Sequence, residues 1–435
     1  MTSLSVSEQR QQLRHHLEAC RASTLQLTAS LTPAEYDQQA HPDFSPVGWH
    51  LGHIALTESR WILQHLAGAD CPLAAYHQLF AADGLPKAAR QHLPDLPQVL
   101  ELLQAVRQRV WGYLGIAPLD QQLRLWLWLL QHECQHAETI SLVLALHRHP
   151  VGNGEFKIQN SEFKVSTPLP VSCPAAPAAP VYLPPTTVTL GYDGVEGLDN
   201  ERPVHRVKVK GFWLDPYPVT QGEFRGFMAA GGYAHSDYWS PQGWAWQQRA
   251  QVSRPRYWCD QPAREDHPVC GVSYYEAEAY ATFVGKRLPT EVEWERAAGW
   301  SAVGDQLGPY PWGQALPQIH QANLGGQVGQ TTPVHHYPAG QTDLGIRDLI
   351  GNVWEWTASW FEPYPGFQSF PYGGYSAAYF DRQHRVLRGG SWATRPWALR
   401  STLRNWYHPY VREIFAGFRC AQDADGSLPT LRERR

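Results

Sequence analysis

Residues 120–146 have the sequence DQQLRLWLWLLQHECQHAETISLVLAL, which is apolar on most sides at helical spacing. A helix that is apolar nearly all round belongs in the interior of a protein rather than on its surface. Its most apolar part, LRLWLWLLQ, is short and carries Arg124, so it cannot span a bilayer. The stretch therefore predicts the central helix of a helical domain.

Three more helices are predicted upstream of this one. Apolar residues recur at spacings of three and four within 13–31, within 47–61 and within 99–113, as one buried face of a helix requires. The second of these follows Ser45-Pro46, a favoured start for a helix. Four helices of this length predict a four-helix bundle over residues 1–150.

The rest of the chain has a different character. Residues 151–185 are rich in Pro and Ala, which predicts a semi-rigid linker. Short alternating runs follow, such as HRVKVKGFWL at 205–214, and these indicate strands. We therefore expect an α+β domain over residues 186–423 and a polar, frayed tail over 424–435. The predicted fold class is multidomain, α followed by α+β.

The composition excludes several functional classes. Lys and Arg number 36 against 40 Asp and Glu, a balance that argues against nucleic acid as a partner. Charged residues are 17% and hydrophobic residues 43%, enough for packed cores. The polar N-terminus, MTSLSVSEQRQQ, lacks the apolar segment of a secretory signal, and the seven cysteines include no C-x-x-C pair. We expect a cytoplasmic protein that does not bind membranes.

Two histidines on the central helix indicate a metal site. His132 and His136 are four residues apart, so their imidazoles lie on one face about one turn apart. A third ligand must then come from another helix, and WHLGH at 49–53 offers His50 and His53. Three neutral imidazoles hold a divalent ion and leave positions open for an anion, dioxygen or water.

The same helix supports a rival hypothesis. Residues 132–136 spell H-E-x-x-H, the zinc-hydrolase helix in which Glu133 would be the general base. No Gly-x-x-His continuation follows, and Glu138 is too close along the helix to be a distal third ligand. With 20 histidines in the chain, simple packing of these side chains is a further alternative.

Distinctive motifs mark the second half of the chain. They are PVTQGEF (218–224), GKRLPTEVEWERAAG (285–299), GNVWEW (351–356), VLRGGSW (386–392) and GFRCA (417–421). Together they resemble the formylglycine-generating-enzyme, or sulfatase-modifying-factor, domain, which has a C-type-lectin-like α+β fold. The working cysteines of that enzyme precede GFRCA, and residues 393–417 contain no cysteine. The resemblance therefore implies the fold without the thiol chemistry.

The first half resembles a second family. SPVGWHLGHIA at 45–55 and HECQHAE at 132–138 are similar to segments of the DinB-like four-helix bundle. The two domains in this order resemble the EgtB-type non-heme iron sulfoxide synthases of ergothioneine and ovothiol biosynthesis, over nearly the whole chain. The resemblance implies an Fe(II)-dependent oxidoreductase that uses dioxygen to join a chalcogen to the imidazole C2 of hercynine.

The resemblance also implies particular site residues. The iron ligands would be His53, His132 and His136, with His53 in the second histidine position of the WHLGH segment. Hercynine would be held by Gln135, Asn405 and Trp406. An amide can hydrogen-bond an imidazole nitrogen, and an indole face attracts a trimethylammonium group.

The donor side departs from one branch of the family. The branch that uses γ-glutamylcysteine binds the donor carboxylate with two arginines, and Lys87 and Arg90 fall at the matching positions. That branch also has an acidic residue and an arginine where this chain has Tyr407 and Val411. A γ-glutamyl donor would leave its charges poorly paired here. We expect cysteine or a neutral sugar-like donor, with selenoneine synthesis from a seleno-sugar as the alternative.

Three expectations remain. The family's active-site tyrosine lies in the loop after GNVWEW, where Tyr372 and Tyr375 are the candidate proton donors. A structural Ca2+ in the second domain is left open. The expected partners are small molecules, namely hercynine, a thiol or selenol donor and dioxygen.

Because lectin-like folds often only bind ligands, a non-catalytic hercynine-binding module is an alternative from another class.

Overall fold

The computed structural model describes residues 5–149, 179–299 and 308–425. The chain divides into two compact units, Met1–Asn153 with Gly194–Glu196 and Gly154–Asp193 with Gly197–Arg435. Most of the predicted linker, up to residue 178, lies outside the described residues, and so do residues 426–435 of the predicted tail. The linker's final part contains strand β1, because Val181, Tyr182 and Leu183 pair with another strand.

The first unit is helical, which confirms the predicted fold class. Its helices are α1 (Val6–Gln26), α2 (Pro33–Asp37), α3 (Val47–Glu58), α4 (His77–Phe80), α5 (Leu96–Leu114) and α6 (Leu119–Arg148). A π-helix, Ser59–Leu66, continues α3 without a break. The first helix ends before residue 31 because Thr32 and Pro33 start α2, where Thr32 and Glu35 form a capping box.

The central position of α6 is also as predicted. Trp126, Trp128 and Leu130 are almost completely buried, as are Val143 and Leu144 near the end of the helix. Helices α1 and α3 pack against α6, and α5 packs against α3. The apolar faces of all four long helices are thereby removed from water, which is the main favourable contribution to folding. None of the helices within the described residues has both the length and the apolar character that a membrane-spanning segment needs.

The second unit combines short strands with short helices. Its strands are β1 (Val181–Leu183), β2 (Thr186–Leu190), β3 (His205–Val209), β4 (Phe212–Leu214), β5 (Trp354–Trp360), β6 (Arg385–Arg388), β7 (Asn405–Tyr407), β8 (Ala416–Gly417) and β9 (Ala421–Asp423). Its helices are α7 (Gln221–Ala229), α8 (Pro241–Ala250), α9 (Tyr274–Phe283) and α10 (Glu291–Gly299). In the described part, the strand orders are β1-β4-β9, β2-β3 and β7-β6-β5-β8.

The run HRVKVKGFWL forms two strands rather than one. Strand β3 pairs with β2, and β4 pairs with β1 and β9. The chain changes sheet at Lys210 and Gly211, where a Cβ on Gly211 would lie 2.7 Å from the hydroxyl of Tyr182. Glycine at this position therefore avoids a close contact with the present position of the Tyr182 side chain.

The motifs of the second half meet at buried ion pairs. Arg419 of GFRCA donates from Nε and Nη2 to Glu355 of GNVWEW, at 2.7 Å in both bonds. Trp294 donates from its indole to the same carboxylate at 2.8 Å. A second pair joins Arg388 to Glu295 of α10. Segments far apart in sequence are thus fixed to one another by charge-assisted hydrogen bonds in the core.

Asp348 gives this unit a pH-dependent stability. Burial raises the pKa of Asp348 from 3.8 to about 7, despite a hydrogen bond of 2.9 Å donated by Asn352. Because the folded-state pKa is raised, the stability that this carboxyl contributes is fully present below about pH 4 and is lost as the pH rises from 4 through 7.

The difference in unfolding free energy between the Asp348→Asn variant and the wild type should therefore shift in favour of the variant as the pH rises from 4 to 8, by on the order of a few kcal/mol. Asparagine also suits the left-handed backbone at this position, where φ is 53°. Urea unfolding of both proteins at pH 4.5, 6 and 8 measures the difference in unfolding free energy. A difference that does not change with pH would contradict the assignment.

Candidate metal centre

Helices α3 and α6 bring the three predicted ligands together. His53 of α3 and His132 and His136 of α6 each offer a ring nitrogen, and these nitrogens lie within 4.8 Å of one another. The Nε2 atoms of His53 and His132 are 3.2 Å apart. Within residues 5–149, 179–299 and 308–425, these three histidines form the one group of at least three histidine, cysteine or carboxylate side chains that lie close enough together to hold an ion.

All these imidazoles are neutral at physiological pH. Burial lowers the pKa of His53 to about 4 and holds the pKa values of His132 and His136 well below the ordinary 6.5. A neutral imidazole is the form that binds metals. Three neutral nitrogen donors fit a divalent first-row ion such as Fe(II) or Zn(II), and they leave its charge available to anionic ligands.

His53 is fixed by contacts that the sequence did not reveal. Its Nδ1 donates to the carbonyl of Phe80 at 2.6 Å, which leaves Nε2 directed at the other histidines. The indole of Trp49 stacks on the imidazole with ring centres 4.7 Å apart. Gly52 admits the Phe80 ring, since a Cβ there would lie 2.1 Å from it. The hydrogen bond to Phe80 and the stacked indole of Trp49 both restrict the rotation of the His53 side chain.

The alternative ligand, His50, contacts the cluster differently. Its Nδ1 lies 2.8 Å from Nδ1 of His136, and burial lowers its pKa to about 3. Its Nε2 is buried and has no hydrogen-bond partner among the residues that the structure describes. The geometry favours His53 as the third ligand, with His50 as a neighbour of His136.

Arg90 and Lys87, the predicted donor-binding residues, both make contacts within the protein. Arg90 is buried and donates to the carbonyl oxygens of Leu85 and Ala82 and to the hydroxyl of Ser45. Its guanidinium lies 4.2 Å above the Trp49 ring that stacks on His53. Lys87 donates from Nζ to the carbonyl of Asp43 at 2.6 Å. The structure thus shows Arg90 packed behind the Trp49 ring, and donor binding by Lys87 and Arg90 stays a prediction.

Glu133, the base of the hydrolase hypothesis, is held in ion pairs. Arg21 donates to it at 2.7 and 3.1 Å, and Arg107 donates to it at 3.0 Å. Burial alone would raise the pKa of Glu133, but the two guanidinium groups outweigh it and lower that pKa. A carboxylate with these partners is a poor proton acceptor.

The remaining hercynine candidates lie on two separate elements. Gln135 is half-buried on α6, immediately before His136. Asn405 and Trp406 belong to β7, where Asn405 accepts a hydrogen bond from the backbone of Trp406. Phe361 stacks on Trp406 with ring centres 4.2 Å apart and holds the indole in place.

The two candidate tyrosines differ in their surroundings. Tyr375 is buried and its ring meets Trp406 edge-on, with centres 6.3 Å apart. Tyr372 is 37% exposed. Of the two, Tyr375 is the one whose ring contacts Trp406. Val411 is buried and apolar, so its position offers no charge to a donor.

Comparisons with known proteins identify both domains. The model of the sulfatase-modifying factor enzyme 1-like domain matches residues 167–424, and the DinB superfamily model matches residues 16–140. A hercynine oxygenase of Mycolicibacterium smegmatis is 37% identical, covering 95% of this chain and 99% of the relative. A hercynine oxygenase of Mycobacterium tuberculosis is 38% identical, with the same coverage. The solved structure of PvdO from Pseudomonas aeruginosa, at 26% identity, covers 56% of this chain and 93% of its own with a TM-score of 0.41.

Together, the fold and these matches define a protein that joins a DinB-type bundle, here carrying a three-histidine cluster, to a sulfatase-modifying-factor-type domain. The full-length matches are more specific, because they extend over both domains at 37–38% identity. The chain therefore belongs to the EgtB-type family of hercynine oxygenases, as the sequence motifs predicted.

Proposed function

We propose that this chain is an Fe(II)- and dioxygen-dependent enzyme that forms a carbon–chalcogen bond at the imidazole C2 of hercynine. The observation that carries the proposal is the cluster of neutral imidazoles of His53, His132 and His136. The full-length relatives named hercynine oxygenase support the choice of substrate. Iron(II) held by these residues would supply one-electron chemistry with dioxygen.

With a thiol donor the overall reaction balances with one dioxygen. The S–H bond and the imidazole C2–H bond break, and a C–S bond forms. One oxygen atom is transferred to sulfur as a sulfoxide, and the other leaves with the two hydrogens as water. The protein must therefore hold the C2 carbon beside the chalcogen and move protons without admitting bulk water.

Positioning of hercynine is assigned to Gln135, Asn405 and Trp406. The amides of Gln135 and Asn405 can hydrogen-bond an imidazole or a carboxylate. The indole of Trp406, held by Phe361, offers a π surface to the trimethylammonium group. Tyr375, edge-on to Trp406, is the proposed proton donor and Tyr372 its alternative.

The chalcogen donor is proposed to be something other than γ-glutamylcysteine. The guanidinium of Arg90 is engaged by Leu85, Ala82 and Ser45, and Val411 is buried and apolar. This chain has Tyr407 and Val411 where the γ-glutamylcysteine branch has charged side chains, so a γ-glutamyl donor would leave part of its charge unpaired. Cysteine is the proposed donor, with the selenol of a seleno-sugar as the alternative.

The cellular setting forms part of the proposal. The six cysteines within the described residues form no disulfide, which suits the reducing cytoplasm. The partners are small molecules rather than nucleic acid. A Ca2+ ion in the second domain stays an open expectation, and no cluster of three carboxylates occurs in the described residues to support it.

The zinc-hydrolase hypothesis receives no support from the site. Its base, Glu133, is bound by Arg21 and Arg107. In the HExxH sequence, the two histidines therefore lie on one face of the helix, and the glutamate forms ion pairs with two arginines.

Anaerobic reconstitution tests the proposed function. The protein is loaded with Fe(II) and hercynine, and oxygen is then added with cysteine, γ-glutamylcysteine or a seleno-sugar in parallel. We expect oxygen uptake and a product containing both substrates by mass spectrometry, with cysteine or the seleno-sugar and not with γ-glutamylcysteine. Hercynine binding without oxygen uptake under any donor would instead establish a binding module.

A further inference from the structure

Four charged side chains lie together inside the helical unit. Glu58 is the last residue of α3, Glu133 follows His132 on α6, Arg21 comes from α1 and Arg107 from α5. Their side chains are at most 9% exposed. We call this group the charged quartet.

The two arginines each bridge both carboxylates. Arg21 donates to Glu133 at 2.7 Å and to Glu58 at 2.9 Å. Arg107 donates to Glu58 at 2.6 Å and to Glu133 at 3.0 Å. Both guanidinium groups also donate to backbone carbonyls, Arg21 to Leu103 and Arg107 to Leu17. Every member of the quartet therefore has at least two hydrogen-bonded partners.

The placement of the carboxylates on the helices is informative. Glu58 lies on the helix that carries His53, and Glu133 lies on the helix that carries His132 and His136. Two buried carboxylates would repel each other unless cations stood between them. Two rigid, planar guanidinium forks, one from each of the other long helices, therefore link the carboxylate of α3 to the carboxylate of α6.

Stability alone is a weak explanation for such a group. Desolvating four charges is costly, and apolar side chains of similar volume often replace a buried ion pair with no loss of stability. Charged networks impose a geometry, however, because each bond depends on direction and length. A metal site needs its ligands held to within about half an ångström.

We propose that the charged quartet is a positioning device for the metal centre, which fixes α3 against α6 so that the imidazoles of His53, His132 and His136 converge. This inference rests on the proposed metal site. In this proposal Arg21, Glu58, Arg107 and Glu133 act neither as the catalytic base of a hydrolase nor as hercynine-binding residues. None of the four contacts the substrate in this proposal.

Cobalt(II) binding to the full chain tests the proposal without catalysis. The variants are Glu58→Gln, Arg107→Lys and the charge-neutral double Glu58→Leu/Arg107→Met. The matched control is Glu35→Gln, which breaks the ion pair between Glu35 and Arg148 at the far end of α6. Affinity is measured by chelator competition, site geometry by the visible Co(II) spectrum, and folding by thermal unfolding of the metal-free proteins.

We expect Glu58→Gln and Arg107→Lys to bind Co(II) about tenfold or more weakly, with an altered spectrum, while still folded at the assay temperature. Arg107→Lys keeps the charge but replaces the planar fork, which donates from Nε and Nη2, with a single ammonium nitrogen. Weaker Co(II) binding by this variant would therefore identify the geometry as the cause. The control should bind Co(II) within about twofold of the wild type. Glu35 pairs with Arg148 at the end of α6 and is not one of the groups around the ligands, whose loss is what lowers metal affinity.

The proposal is wrong if the folded single variants bind Co(II) as the wild type does with the same spectrum. It is also wrong if the apolar double variant binds Co(II) normally, because the quartet would then be a replaceable packing element. Should a single variant fail to fold, the double variant still decides the question. A wild-type chain that binds no Co(II) would instead remove the proposed metal site itself.

Discussion

The His53→Ala variant is expected to lose metal binding and dioxygen uptake, each by about 100-fold or more. Changes to groups around the ligands typically cost about 10–100-fold in affinity or activity, so removing a ligand should cost at least the upper part of that range. His53 is one of three nitrogen donors within 4.8 Å of one another. Metal content after reconstitution and oxygen consumption with hercynine and cysteine measure the two losses.

Two other histidines serve as controls for this variant. His147 lies on the same helix as His132, but its Nε2 contacts the carbonyl of Gln38, and His147→Ala should change neither quantity. His50→Ala should keep stoichiometric metal, because only its contact with His136 is lost. Full turnover by His53→Ala together with metal loss in His50→Ala would reverse the ligand assignment.

The Arg419→Met variant is expected to lower the unfolding free energy of the second unit by about 3–5 kcal/mol. The guanidinium of Arg419 and the carboxylate of Glu355 are fully buried and joined by two hydrogen bonds. Removing the cation leaves the carboxylate charged in the core, with the indole of Trp294 as a remaining donor. Denaturant unfolding followed by tryptophan fluorescence reports the change.

An exposed ion pair provides the matched comparison. Arg225 pairs with Glu265 and Asp260 at 2.8 and 3.1 Å, but it is about one-third exposed, so Arg225→Met should cost less than about 1 kcal/mol. The double variant Arg419→Met/Glu355→Leu should recover part of the loss, since no unpaired charge remains. Equal costs for Arg419→Met and Arg225→Met would contradict the importance of burial.

Local patterns in the sequence predicted much of the fold and part of the site. The apolar periodicity of 120–146 predicted a buried central helix, which α6 is. The i,i+4 spacing of His132 and His136 placed their imidazoles on one face, and the structure brings His53 to them. These predictions depend on contacts within one helix or on the burial of one face, so a short window of sequence contains the information.

Other features depended on contacts between distant segments. The motif HExxH predicted Glu133 as a possible base, whereas Arg21 and Arg107, 112 and 26 residues away, bind it. The stack of Arg90, Trp49 and His53 is equally invisible in sequence, because Arg90 and Trp49 belong to different segments. No periodicity within one segment specifies such pairs.

The sequence by itself determined the domain order, the buried helix with its two histidines and membership of the EgtB-type family, because each depends on short motifs or on a repeating apolar face. The spacing of WHLGH left His50 and His53 open and the family resemblance favoured His53, but only the tertiary structure shows His53 beside His132 and His136 and Glu133 bound by two arginines. Both answers follow from how α3 and α6 are turned towards each other, and that arrangement involves contacts among four helices that are distant in sequence.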